Sequence, residues 1–379
     1  MIRPIALSLA LGTLAAVAAQ DPVADEMLAR HAALSRRVAG EGFVLFKNEG
    51  ALPLAPGSKV AVEGPAFCEW LSCGGMSAFV KSAYVVDVPT GLRNAGFVVD
   101  PESRETAVFI VSRTCGRGGE PDLKAYELKP EEKKAFAAVK AKGYRRIVVV
   151  MNTGVGVETR PFADDPAVGA LLWVGFPGME GGNAVADVLS GKVNPAGRLV
   201  QTLANRLADY PAEENWQEGL YYVPYEDDIF VGYRYFETIP GADAKVTYPF
   251  GHGLGYTTFS RSDLSFAKDG DDCRVTVTVA NVGKVAGRHS VLVYTSLRGG
   301  AADHPAKELR AFAKTRLLRP GETETVSVIL EARDFAYWDL LENRFRADAG
   351  EYEVLIGASS REIRGRARAH LTRDQRFRD

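Results

Sequence analysis

The sequence predicts an α/β unit built on a mostly parallel sheet, followed by an all-β sandwich. Three observations predict it. From about residue 42 to residue 197, short apolar runs alternate with stretches of helical periodicity. Continuous apolar strands between helices indicate a sheet covered on both faces. From Ser260 onward the pattern changes to short strands divided by turn residues, and residues 274–280 alternate as Arg-Val-Thr-Val-Thr-Val-Ala. Strict alternation of this kind marks a strand with one face buried.

In chain order, residues 22–41 read as a helix with apolar positions at Met27, Leu28, Ala32, Leu34 and Val38. Residues 42–48 read as a short buried strand or turn. Strands are expected at 60–63, 107–111, 147–151 and 171–174, with helices at 130–142 and 181–190. Residues 201–259 lose periodicity and are rich in Tyr, Pro, Gly and acidic side chains. A loop of that length inside a compact protein is expected to be functional or to form an interface. Further strands are expected at 290–296, 323–330 and 352–357, punctuated by Asn281-Val282-Gly283, Pro320-Gly321 and Ala349-Gly350. A sandwich of roughly seven strands is the natural solution for such a pattern. The basic segment 361–378 reads as a solvated tail, with residues 371–379 disordered.

Bulk properties restrict function. A net charge of −2 over 379 residues offers no footprint for nucleic acid or for an acidic membrane surface. Residues 1–19 read as a secretory signal: Arg3, an apolar stretch from Ile5 to Val17, then small residues ending at Ala19. A retained anchor is the alternative, although the apolar run is short for a span. The expected location is therefore secreted, periplasmic or extracellular, with no membrane partner. Of four cysteines, Cys68 and Cys73 are close enough to pair across a turn, and Cys115 and Cys273 have no obvious partner. No Cys-x-x-Cys pair exists and the five histidines stand far apart, so neither a metal site nor a cofactor is expected.

Six ordered segments carry a resemblance. They are Gly42-Phe-Val-Leu-Phe-Lys-Asn48 with Leu52-Pro-Leu54, Val148-Val-Val-Met-Asn-Thr-Gly154, Gly175-Phe-Pro-Gly-Met-Glu-Gly-Gly182, Ala186-Asp-Val-Leu-Ser-Gly191 with Asn194-Pro-Ala-Gly-Arg-Leu199, Ile229-Phe-Val-Gly-Tyr-Arg-Tyr-Phe236, and Tyr248-Pro-Phe-Gly-His-Gly-Leu-Gly-Tyr-Thr257. Together they resemble glycoside hydrolase family 3, the β-glucosidase-like enzymes. The β-rich remainder is similar to that family's fibronectin type III-like (immunoglobulin-like) domain. The resemblance implies a family sandwich at residues 20–259 and the fibronectin-like unit at 260–370.

The family's usual chain also has a (β/α)8 barrel that carries the nucleophilic Asp, and no barrel fits here. The resemblance implies the branch with swapped halves, ending before its barrel, so a barrel protein in trans is an expected partner. The implied substrate is a β-linked glucoside or short oligosaccharide. Retaining hydrolysis needs two carboxyl groups about 5 Å apart. In the family the sandwich donates the acid/base Glu from a loop after a strand, within Gly-Glu-Gly-x-Asp-Arg. Here that loop reads Ser112-Arg-Thr-Cys-Gly-Arg-Gly-Gly-Glu-Pro-Asp122. Arg117 stands at the family's Glu position, where it cannot donate the proton, and is a candidate for substrate binding. Glu120 is the nearest acid/base candidate and Asp122 the alternative; a solvated Glu on a glycine-rich loop is the other reading. Trp216, in polar loop sequence, and Arg234, between Tyr233 and Tyr235, are candidates for a sugar-binding rim. For Tyr233, Arg234 and Tyr235 the favoured reading is that they hold the long loop to the sandwich. Loss of catalysis with retained sugar binding or a scaffold role, or a gene fragment, are the competing outcomes.

Overall fold

The computed structural model describes residues 22–65, 70–113, 126–215, 224–269, 272–297 and 304–378. Helix α1 (Pro22–Gly42) leads into β1 (Val44–Asn48), then β2 (Lys59–Glu63), α2 (Val88–Asn94), β3 (Val98–Val99), β4 (Thr106–Arg113), α3 (Pro130–Ala141), β5 (Arg146–Thr153), α4 (Arg160–Ala163), β6 (Val168–Trp173) and α5 (Gly181–Leu189). The six strands form one sheet in the order β1-β6-β5-β4-β2-β3. Only edge strand β1 is antiparallel to its neighbour.

The apolar strand runs have the physical role their sequence implies. Along β4 and β5, Val108, Ile110, Val148 and Val150 enter one core, under α2 and α5. Their neighbours Ala107, Phe109, Val111, Ile147, Val149 and Met151 enter the core on the opposite face, with Phe136 and Val139 of α3 and Phe162 of α4. Period-two side-chain alternation therefore fills both layers, which is why no polar residue interrupts the strands. Helices α2 and α5 touch at glycine: a Cβ at Gly91 would collide with the Gly182 carbonyl, and one at Gly182 with the Asp87 carbonyl.

Residues 201–259 are ordered where described. Strand β7 (Leu203–Ala204) pairs with β8 (Val246–Tyr248), and between them lie α6 (Ala212–Asn215) and α7 (Tyr233–Phe236). The chain then enters the second unit. One sheet comprises β9 (Phe259–Asp269), β10 (Asp272–Asn281) and β13 (Thr323–Leu330). The facing sheet has β11 (Ser290–Leu297), β12 (Glu308–Lys314), β16 (Gly350–Gly357) and β17 (Ile363–Leu371). Val275, Val277 and Val279 of β10 meet Val291, Val293, Val354 and Ile356 across the core. These seven strands are the antiparallel sandwich that the turn spacing predicts.

Two expectations are corrected. The segment 361–378 is not a solvated tail, and the described part of the expected disordered segment, 371–378, is not disordered: β17 pairs along β16, and β18 (Gln375–Phe377) pairs with β15 (Arg344–Ala347), which also carries β14 (Tyr337–Asp339). The arginines of β17 alternate with Gly365, Ala367 and Ala369, so the charged residues face outward and the small ones inward. Cys73 is a free thiol that accepts a hydrogen bond from Val80 N at 3.4 Å, not half of a disulfide; Cys68 and Cys115 lie outside the described residues.

Candidate active-site edge

Open parallel sheets bind ligands outside the carboxyl ends of their strands, where loops rather than hydrogen-bonded ladders set the surface. Here β4 delivers the loop that carries Arg117, Glu120 and Asp122. All three lie outside the described residues, as does Trp216. The structure does show how the loop's two ends are held. Arg113, the last residue of β4, is buried, and its Nε donates to Glu132 Oε1 at 2.8 Å. A second guanidinium nitrogen donates to Glu132 Oε2 and another hydrogen bond reaches the Glu127 carbonyl at 2.8 Å. Glu132 also accepts from Lys129 N at 2.8 Å, closing the first turn of α3. One bidentate pair thus joins the strand before the loop to the chain after it. The return limb is pinned as well: Tyr126 Oη donates to the Ala204 carbonyl at 2.6 Å, and Leu128 N donates to Glu158 Oε1 at 2.6 Å.

A second strap crosses the same edge. Asn152, buried at the end of β5, accepts from Leu71 N at 2.8 Å and donates to the carbonyls of Leu71 at 3.0 Å and Gly175 at 2.7 Å. Ser112 of β4 donates to the same Asn152 oxygen at 3.2 Å. Gly178 N donates to Ser72 O and Val86 N to Met179 O, which lays segment 70–86 over the β6–α5 turn. The glycine-rich stretch near Ser77 forms a single 3-10 turn there, Met76–Ala78. Tyr84 Oη donates to Glu180 Oε1 at 2.7 Å, and Asn183 Nδ2 donates to Glu180 Oε2 at 2.6 Å. That hydrogen bond, then burial, then the Glu180 charge push the Tyr84 phenol up to about 12. The indole N–H of Trp70 is buried with no acceptor among the described residues. On the outside of this strap Phe79 is 67% exposed and Val80 61%, with Val85 also exposed.

Arg234 is held elsewhere. Its guanidinium pairs with Glu308 Oε1 of β12 at 3.3 Å. Beside it Tyr233 Oη accepts from Leu309 N at 2.8 Å, and its ring lies 4.7 Å from Phe250 and 6.1 Å from Tyr294. Of the two roles open to these residues, the contacts favour fastening the long loop to the second sandwich. Among the described residues no three His, Cys, Asp or Glu side chains gather as a metal site would require.

Residues 43–256 match the family model described as the glycosyl hydrolase family 3 C-terminal domain. The chain belongs to glycosyl hydrolase family 3. Residues 289–360 match the fibronectin type III-like domain. Beta-glucosidase A of Butyrivibrio fibrisolvens is 34% identical, covering 88% of this chain and 50% of that protein. A beta-glucosidase of Rhizobium radiobacter is 38% identical over 76% of this chain and 36% of its own length. The structure of beta-glucosidase 3B from Thermotoga neapolitana in complex with glucose superposes with a TM-score of 0.85 at 32% identity, covering 93% of this chain and 55% of that one. The chain thus spans about half, or less, of the length of these family 3 relatives. Sequence reading missed Asn152, Glu180 and the Arg113–Glu132 pair as organisers of the family 3 edge. Asn152 and Glu180 sit inside quoted motifs, but only burial distinguishes their roles from those of neighbouring polar residues.

Proposed function

We propose that this chain is the sandwich half of a β-glucosidase-type retaining hydrolase, exported from the cell, that supplies the acid/base loop to a cleft completed by a (β/α)8 barrel carrying the Asp nucleophile. The observation that carries this reading is the anchoring of Arg113 and Tyr126, the described residues on either side of segment 114–125, at the carboxyl end of β4 in a family 3 sheet. A proton donor must be positioned within hydrogen-bond reach of the glycosidic oxygen, and rigid loop ends serve that need. The exposed Phe79, Val80 and Val85 on the adjoining strap support it, since apolar side chains grouped at an edge are stabilised by a covering partner.

In this scheme the barrel Asp attacks the anomeric carbon as Glu120 protonates the departing oxygen. Glu120 then takes a proton from the water that hydrolyses the glycosyl-enzyme. The test is Glu120→Gln in the chain reconstituted with a barrel. The substitution should slow glucosides with poor leaving groups by roughly 100-fold or more and activated aryl glucosides much less. Equal rates for both variants on both substrates would move the acid role elsewhere, with Asp122 first. Arg117, a cation at the family's Glu position, favours the second reading of a catalytically silent sugar-binding module. Saturable heat with cellobiose but no hydrolysis in the presence of a barrel would select it.

A further inference from the structure

Where the two sandwiches meet, a cavity of about 630 Å³ opens beside the 194–198 segment, the 253–261 connection and the start of β11. Its charged lining is uneven: Arg198, Arg261, Arg288 and Arg364 against the single carboxylate Glu362, with His289 between them. Arg364 is paired with Glu362 at 2.6 Å and Arg288 with Glu41 at 3.4 Å. Arg198 and Arg261 have no carboxylate within ion-pair distance among the described residues.

The hydrogen-bond inventory deepens the imbalance. Arg261 donates twice to His289 Nε2, at 2.7 and 3.1 Å. A neutral imidazole accepts at one nitrogen only, so Nδ1 carries the proton. Arg198 approaches that same Nδ1 at 3.4 Å, donor against donor. Among the described residues it otherwise makes one hydrogen bond, to the Gly253 carbonyl, and its buried Nε has no acceptor. Burial, then the Arg261 and Arg198 charges, hold the His289 ring neutral, at about 2. Burial and Arg261 likewise depress Arg198, to about 10. A guanidinium presents a planar fork of donors matched to oxyanions, and leaving such donors buried and unpaired is costly.

We propose that this seam binds a phosphate group, free or carried on a sugar, with Arg198 and Arg261 as its principal donors. The site lies on the side of β1, where Leu254 bridges Leu45, and not on the carboxyl edge that carries the candidate acid/base loop. A bound oxyanion would supply the acceptors that Arg198 lacks and neutralise two cations fixed between the units.

The experiment is calorimetric titration of the full chain with inorganic phosphate and, separately, glucose 6-phosphate, at constant ionic strength with chloride as the balancing ion. Saturable binding is expected. Tighter binding of the sugar phosphate would identify a sugar-borne group, and equal or exclusive binding of inorganic phosphate a free ion. Arg261→Gln should weaken binding roughly tenfold or more. Glu362→Gln, at an exposed position, should strengthen it roughly two- to fivefold by removing the opposing charge, and carries the test if Arg261→Gln does not fold. No saturable heat from either ligand, or unchanged affinity in the folded variants, would overturn the proposal.

Discussion

Glu132→Gln is expected to be among the most destabilising polar substitutions in the α/β unit. Both Arg113 and Glu132 side chains are about 4% exposed and meet in bidentate geometry. Removing one charge leaves the other buried without its counter-ion, which costs about 3–5 kcal/mol. Replacing both residues by Met removes the uncompensated charge. Among the contacts between described residues, what remains is the lost acceptor for Lys129 N and the lost donor to the Glu127 carbonyl. Each is worth about 1 kcal/mol, so the double variant should lose only about 1–3 kcal/mol. The cycle of Glu132→Met, Arg113→Met and the double Met variant therefore predicts strong coupling between the two positions. Urea titrations followed by far-ultraviolet circular dichroism would measure it, with the α/β transition fitted separately from that of the second sandwich. A single-substitution loss below about 1 kcal/mol, or a double-variant loss equal to the sum of the singles, would refute the claim that this pair anchors the loop base.

Other perturbations test other parts of the structure. Gly182→Ala should cost several kcal/mol, because its Cβ meets the Asp87 backbone where α2 crosses α5 and neither helix can yield; soluble protein with an unchanged melting temperature would contradict the packing. Tyr84→Phe should cost about 1–2 kcal/mol by taking a donor from buried Glu180. The Tyr84 phenol is raised in the folded state, so its contribution is full below the unfolded value near 10 and is lost as pH rises toward about 12. Tyr84→Phe should therefore flatten the stability profile between pH 10 and 12, and a parallel profile would count against that contact. Phe79→Ser with Val80→Ser should reduce hydrophobic-dye binding and self-association of the isolated chain; equal dye binding would place the sticky surface elsewhere.

Much of the fold was legible because packing wrote it into the sequence. Strands β4, β5 and β6 are buried on both faces, so their apolar runs had no competing explanation. Helix α2 was missed because Val88-Pro-Thr-Gly-Leu-Arg-Asn94 contains both a proline and a glycine. Pro89 occupies the first turn, where no donor is needed, and Gly91 provides the contact with Gly182. Strand β17 was misread because its outward positions are three Arg and a His, and the three central inward residues, Gly365, Ala367 and Ala369, are too small to look like a core. The candidate site was legible only as a position in the chain. That β4 ends at a functional edge follows from the sheet pattern. That Arg113 and Glu132 close beneath the loop, or that Arg234 faces Glu308, depends on tertiary contacts no local pattern carries.

The central claim is that this chain provides the acid/base half of a cleft and needs a barrel for the nucleophile. The most direct test is turnover of an aryl β-glucoside by the purified chain, alone and with a secreted family 3 barrel protein co-expressed from a neighbouring gene. In the proposed scheme covalent catalysis and substrate positioning would both come from the barrel, and positioning alone can account for roughly 7–11 kcal/mol of barrier lowering. The account predicts no hydrolysis above background by the chain alone and saturable hydrolysis with retention of anomeric configuration by the pair. Robust turnover by the isolated chain, or an inert pair that nevertheless forms a complex, would contradict it.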